Sequence, residues 1–181
     1  MTRQRIVTGV NEEGKSIIVF DGPGPASFQL GSLGWEERWA VEELPAPLDD
    51  LADPGDVERV YTVRPGALMR AAILMLPPES ERKTPPGTEA EREAFWQRVD
   101  VDTGVTWQQD YPKMHRTPTL DVIVVLSGAV DMELDGGQVV RLGAGDSVIQ
   151  RGTMHAWHVI GDAPCTMVGV SVPGELRGGG G

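Results

Sequence analysis

Between Asp121 and Val172 the chain is cut into six short apolar segments with turn residues between them, and no other feature restricts the fold as much. The segments are Asp121–Ser127, Val130–Leu134, Gln138–Leu142, Ser147–Gln150, His155–Ile160 and Thr166–Val172. Runs this short, bounded by Gly, Asp and Pro, read as strands. Asp135-Gly136-Gly137 supplies the positive-φ residues of a tight hairpin, and Gly143-Ala144-Gly145-Asp146 and Gly161-Asp162-Ala163-Pro164 are further turns. Six closely spaced strands with this turn chemistry predict an all-β fold, a small antiparallel barrel or jelly roll.

The preceding half is more mixed. Residues 4–9 and 16–20 are β-like and are separated by the turn at residues 11–14; the breaker cluster Asp21-Gly22-Pro23-Gly24-Pro25 is expected to end the second strand. A third strand is expected over 34–41, with Trp35, Trp39 and Val41 on one face by period two. Residues 44–55 are rich in Pro and Asp and read as loop, whereas Met69–Met75 is an apolar strand closed by Pro77-Pro78. The convincing helix signal starts at Thr88, an N-cap with Glu91 as its capping-box partner; Phe95, Trp96 and Val99 pack one side, as a core-facing helix or a lid over a pocket. Residues 79–87 before it read as a mobile loop. The expected plan is one structural domain: N-terminal strands, loops and a short helix over 1–103 packed on a barrel core over 104–173, then a flexible tail over 174–181.

Composition narrows the function. A net charge of −11 is wrong for a phosphate-backbone partner, which requires clustered Lys and Arg, so no nucleic acid is expected. No apolar run approaches the ~18 residues of a membrane span, and the N-terminus carries no apolar signal core, so the expected location is cytoplasmic with no membrane partner. The single cysteine, Cys165, excludes an internal disulfide and reads as a small buried hydrophobe.

Only three histidines occur, His115, His155 and His158, and all fall in the strand-rich part. Alternation puts His155 and Trp157 on one face of their strand and His158 on the other. His115 and Asp121 are an even number of residues apart and can face the same side of an extended segment. Two neutral imidazoles and a carboxylate suit iron(II), manganese, nickel or zinc and leave open positions for substrate, water or dioxygen. Trp107, Gln109, Tyr111 and Lys113 share the His115 face if alternation holds before it.

The segment His115-x-Thr117-x3-Asp121-x6-Gly128 follows the frame of the first cupin motif, G-x5-H-x-H-x(3,4)-E-x6-G, with Asp in place of Glu. Gly145, Gly152 and His155 match the second, G-x5-P-x-G-x2-H-x3-N, with Gln150 in place of proline and one residue fewer after Gly145. Over roughly residues 105–172 the chain therefore resembles the cupin superfamily, in particular single-domain small-barrel cupins carrying HRTPTLD, GDSVIQRG and HAW. The resemblance implies a cupin-type double-stranded β-helix, a jelly-roll barrel with extra N-terminal strands and one short helix. It also implies a homodimer, since extra strands before such barrels commonly pair across a dimer.

Thr117 stands where the second histidine of the first motif belongs, the leading glycine of that motif is absent, and Val159 replaces the final asparagine of the second. The implied ligand set is therefore His115, Asp121 and His155, a two-histidine, one-carboxylate triad with iron(II) favoured. Arg116, Thr117, Gln150 and Trp157 are the expected substrate-binding residues, with Arg116 as a carboxylate anchor. The expected function is a metal-dependent enzyme acting on a small organic metabolite (an acid, a keto compound or an aromatic, polyketide-like one), foremost a non-haem iron oxygenase. A metal-dependent lyase or isomerase, such as a decarboxylase or dehydratase, is the first alternative. A non-catalytic small-ligand-binding barrel and a barrel kept as an assembly scaffold are the others.

Overall fold

The computed structural model describes residues 3–23, 27–49, 52–53, 60–61, 63–83, 86–100 and 104–175. Parts of the breaker cluster (24–25), of the loop expected over 44–55, and of the tail (176–181) lie outside them. Strands β1 (Gln4–Val10) and β2 (Ser16–Pro23) make a separate antiparallel hairpin. The cluster at Asp21 does not end β2 at Phe20: the strand runs on to Pro23, which pairs with Gln4. At the last position of a two-stranded ribbon a proline removes no donor that a further strand would use.

Strands β3 (Ser27–Leu30), β4 (Leu33–Val41) and β6 (Met69–Leu76) belong to a six-stranded sheet with β10 (Thr119–Ser127), β13 (Ser147–Arg151) and β15 (Cys165–Pro173). Its order is β13-β10-β15-β6-β4-β3. The facing sheet, in the order β12-β11-β14-β9-β8, holds β8 (Thr106–Gln108), β9 (Tyr111–Arg116), β11 (Ala129–Leu134), β12 (Val139–Gly143) and β14 (His155–Val159). A short parallel pair, β5 (Val60–Tyr61) with β7 (Val99–Asp100), completes the described strands. All six segments expected after Asp121 are strands, and the two sheets form the expected double-stranded β-helix. Among the described residues no helix is long and apolar enough to cross a membrane.

Trp39 and Val41 do not share the face of Trp35. The β4–β6 register slips between Glu37 and Trp39, so Trp35 lies opposite Leu74 and Ala40 opposite Arg70, while Trp39 and Val41 lie opposite Ala71 and Met69. The extra residue of a bulge inverts the alternation beyond it. Residues 79–87, expected as loop, hold the short helix α1 (Glu79–Lys83), entered from Pro77-Pro78 and tied down where Glu81 accepts from Ser32 N and Oγ, both at 2.6 Å. Helix α2 (Glu89–Arg98) has the expected capping box: Glu91 N donates to Thr88 Oγ1 at 3.3 Å and Thr88 N donates to Glu91 Oε2 at 2.7 Å. Phe95 is buried against Phe28, Trp96 is exposed, and Val99 lies past the helix in β7.

The barrel is apolar at one end and polar at the other, and alternation along each strand makes it so. Inward residues step from Val125 through Ile123 to Asp121 on β10, from Met167 through Gly169 to Ser171 on β15, and from Leu76 through Leu74 and Ala72 to Arg70 on β6. On β14 they step from Val159 through Trp157 to His155. The apolar end, closed by Val125, Val130, Met132, Leu142 and Cys165, is the core; burying each larger side chain there contributes about 1.5–3 kcal/mol. Gly128 turns β10 into β11 at φ 79°, where a Cβ would lie 2.7 Å from Pro164 O. Only glycine fits there.

Candidate metal and substrate site

Two transverse rows of side chains face each other at the polar end. In the six-stranded sheet Arg70 is register partner to Ser171, Ser171 to Asp121, and Asp121 to Gln150. In the other sheet Trp107 is partner to His115, and His115 to His155. Between the rows lies a cavity of about 110 Å³ whose wall includes Arg70, Ser171, Asp121, His115, His155 and Trp157.

The two imidazoles lie with ring centroids 4.5 Å apart. His115 Nδ1 is 3.0 Å from Lys113 O, and His155 Nδ1 is 2.9 Å from Thr153 O. A carbonyl oxygen only accepts, so each Nδ1 carries the proton and each Nε2 is left as a lone-pair donor. Metal-binding histidines are oriented in this way by an outer partner. Burial lowers the pKa of His155 to about 4, with the neighbouring His115 adding to the shift and the Thr153 carbonyl opposing it. His115 is lowered by burial too, against the pull of the Lys113 carbonyl and Asp121. Both rings are neutral at pH 7, the state in which imidazole binds a metal.

Asp121 is buried, and its Oδ2 lies 3.0 Å from Thr119 Oγ1 and 3.3 Å from Thr117 Oγ1, with the two hydroxyls 2.7 Å apart. Each hydroxyl has one proton, so one donates to the carboxylate and the other to its neighbour. Thr117 thus does fill the cavity wall, but its hydrogen bonds go to Asp121 and Thr119. Among the described residues no three His, Cys, Asp or Glu side chains close in on one point as a metal cage would. The donor chemistry of the two imidazoles fits a divalent transition metal, and the carboxylate shares their cavity with one oxygen already engaged by hydroxyls.

The remaining expected residues divide. Trp157 lines the cavity, its ring edge-on to His155 at 5.4 Å. Gln150 is buried at the end of the Asp121 row, where its Nε2 donates to Thr153 Oγ1 at 2.8 Å, so it braces the loop leading to His155. Arg116 lies in a neighbouring groove with Arg151 and Glu175 rather than on the cavity wall. His158 is on the outer face, as alternation requires, 2.9 Å from Glu133 Oε2. Trp107 packs on His115 at 4.8 Å, whereas Gln109 falls in a turn and Tyr111 stacks on His158, away from the cavity. The β8–β9 register slips between Trp107 and Gln108, which inverts the face of Tyr111. Lys113 bonds the Glu79 carboxylate at 3.1 Å.

Sequence reasoning missed Arg70, Glu37 and Trp35. Arg70 Nε is 2.8 Å from Glu37 Oε2, and Glu37 is 1% exposed. Burial raises the pKa of the Glu37 carboxyl, and Arg70 and Arg64 pull it back. The available signal was one arginine inside the apolar run Met69–Leu76. Trp35 joins the cavity to α2 through ring contacts at 6.0 Å with Phe95 and 6.4 Å with Trp96.

A cupin-domain family model matches residues 105–172. Phomopsin biosynthesis cluster protein C' of Diaporthe leptostromiformis is 40% identical over 74 residues, 41% of this chain and 36% of that protein. Oryzines biosynthesis cluster protein J of Aspergillus oryzae is 44% identical over 46 residues, 25% of this chain and 26% of that one. The chain thus spans about a third or less of the length of these curated relatives. Among solved structures, the Schizosaccharomyces pombe Cnp3 cupin domain superposes with a TM-score of 0.44 at 8% identity, covering 96% of this chain and 89% of that one. Ectoine synthase from P. lautus gives 0.41 at 9% identity, covering 82% and 70%. The family match lies on the strands that carry both histidines, so residues 105–172 are similar to a cupin domain, and the chain has the double-stranded β-helix fold.

Proposed function

We propose that the protein is a metal-dependent cupin enzyme acting on a small organic metabolite, foremost as a non-haem iron(II) oxygenase. The observation that carries this reading is the facing pair His115 and His155, both neutral, both with Nδ1 tied to a backbone carbonyl and Nε2 left for coordination. These two residues would hold the metal, with Asp121 as the third ligand. A bound iron(II) would supply dioxygen activation, or Lewis-acid polarisation of a substrate oxygen in the lyase and isomerase alternatives. Thr117 and Thr119 orient the Asp121 carboxylate, and Trp107 and Trp157 flank the imidazoles. That two relatives are named for biosynthesis clusters supports a small-molecule substrate. A homodimer is part of the reading, supported by the exposed Ile6, Val10 and Ile18 on the separate β1–β2 hairpin.

The engagement of Asp121 Oδ2 in the Thr117–Thr119 hydroxyl pair favours one second reading, a small-ligand-binding barrel that holds no metal. Metal analysis separates the two. After anaerobic loading with iron, manganese, nickel or zinc, the enzyme retains about one equivalent of metal and His155→Ala retains none. No retention of any of the four metals by the unaltered protein leaves the ligand-binding barrel. Dioxygen uptake by the iron form with a substrate present then divides oxygenase from lyase.

A further inference from the structure

We propose that Arg70 is the specificity-determining residue of the cavity and that it selects a small organic acid by pairing with its carboxylate. The inference rests on the cavity being a substrate site, as proposed above, and names the class of substrate.

Arg70 is 8% exposed, and its side chain lines the same cavity as His115 and His155. Nε is spent on Glu37, at 2.8 and 3.1 Å from the two carboxylate oxygens. Nη2 is buried and, among the described residues, has no hydrogen-bond partner. A buried guanidinium N–H without an acceptor is costly, and folded proteins rarely leave one so. The row around it offers no remedy. Its register partners are Ser171 on β15 and Ala40 on β4; the carboxylate of that row, Asp121, has one oxygen in the hydroxyl pair of Thr117 and Thr119. What completes Arg70 is an anion from outside, and a carboxylate matches the planar fork of a guanidinium.

A second observation shows that the space is kept. Gly169 sits inward in the middle of β15, a place where glycine weakens a strand. Its φ is not positive, and a Cβ built there meets nothing closer than Ile123 Cγ1 at 3.9 Å. Neither backbone conformation nor packing calls for glycine at this position. A larger side chain would fill the floor of the cavity between Arg70 and Ile123, and its lack preserves the room. Glu37 fixes the guanidinium from behind, itself 3.7 Å from Arg64, so the fork is preorganised and loses little freedom on pairing. With the carboxylate on Arg70, the rest of the acid extends toward the imidazole row across the cavity. Arg116, the arginine that stands beside His115 in sequence, opens on another groove.

The test uses the full chain with benzoate and pyruvate as probes and benzamide and pyruvamide as their neutral controls. The Arg70 Nε–H signal is followed by NMR, assigned by its disappearance in Arg70→Lys. In metal-free and zinc-loaded protein, at least one acid moves this signal at millimolar concentration and its amide does not. Arg70→Gln weakens that binding by about 30-fold or more. Because Arg70→Gln strands Glu37, two further variants guard against a folding defect: Arg70→Lys keeps the charge but not the fork, and Gly169→Val keeps the Arg70–Glu37 pair but fills the cavity. Both weaken the acid by at least ~10-fold. An Arg70 signal that neither acid moves, or that acid and amide move alike, overturns the inference and leaves Arg70 as the counterion of Glu37 alone. Acid binding that persists in a protein retaining no metal keeps the inference and removes the metal reading. Metal retention with an unresponsive Arg70 does the reverse.

Discussion

His155 lies directly across from His115 in the pairing of β14 with β9, and each ring turns its Nδ1 to the carbonyl two residues before it. This one relationship makes a pair of oriented lone-pair donors from two residues 40 positions apart in the chain.

Replacing either ring with alanine should abolish tight metal binding. His115→Ala and His155→Ala are each expected to weaken zinc by more than the ~10–100-fold that loss of an outer hydrogen-bond partner causes. His158→Ala, on the outer face, should leave zinc affinity unchanged. Competition against a chromophoric chelator measures all three.

The buried His155 makes the metal-free protein acid-sensitive. Its folded pKa is depressed to about 4, so between its ordinary value and 4 the unfolded chain takes up a proton that the folded chain does not. Stability is then complete above about pH 6.5 and falls as pH falls toward 4, by about 3 kcal/mol if His155 acts alone. Urea unfolding from pH 7 to pH 4 checks the slope, and His155→Gln should flatten it.

The Glu37–Arg70 pair should be costly to break from one side. Glu37→Ala leaves a guanidinium buried without its carboxylate and should destabilise the fold by about 3–5 kcal/mol. Thermal unfolding of the variant tests this, with Glu42→Ala, an exposed acidic residue on the same chain segment, as the near-neutral comparison.

Gly128→Ala places a Cβ 2.7 Å from Pro164 O at a positive φ, so the β10–β11 corner must distort. A loss of about 1–3 kcal/mol is expected. Gly136→Ala, in open space at the next hairpin, should cost less; urea midpoints compare the two.

The strands after Asp121 were legible because each is a short run bounded by Gly, Asp or Pro, and the turn residues sit where the hairpins form. His155 and Trp157 could be assigned to the cavity face by alternation alone, and His158 to the other. Alternation misled where the register slips, at Trp39 after Glu37 and at Tyr111 beyond Trp107, because a bulge carries no fixed residue signature. Arg70 was hidden for a different reason. Its importance comes from lying beside β15 and opposite β4, both distant in sequence, and only the assembled sheet puts it in one row with Ser171 and Asp121. Arg116 looked the better anchor because it adjoins His115, yet neighbours along a strand point to opposite faces.

The pairing of His115 with His155 as metal donors is tested most directly by nitrogen NMR of the imidazole rings during zinc addition to the anaerobic, metal-free protein. With three histidines in the chain, every ring nitrogen can be followed. The expected result is that Nε2 of both His115 and His155 shifts together at one equivalent of zinc while each Nδ1 keeps its proton and His158 is unmoved. Zinc that moves only His158, or no histidine at all, would contradict it.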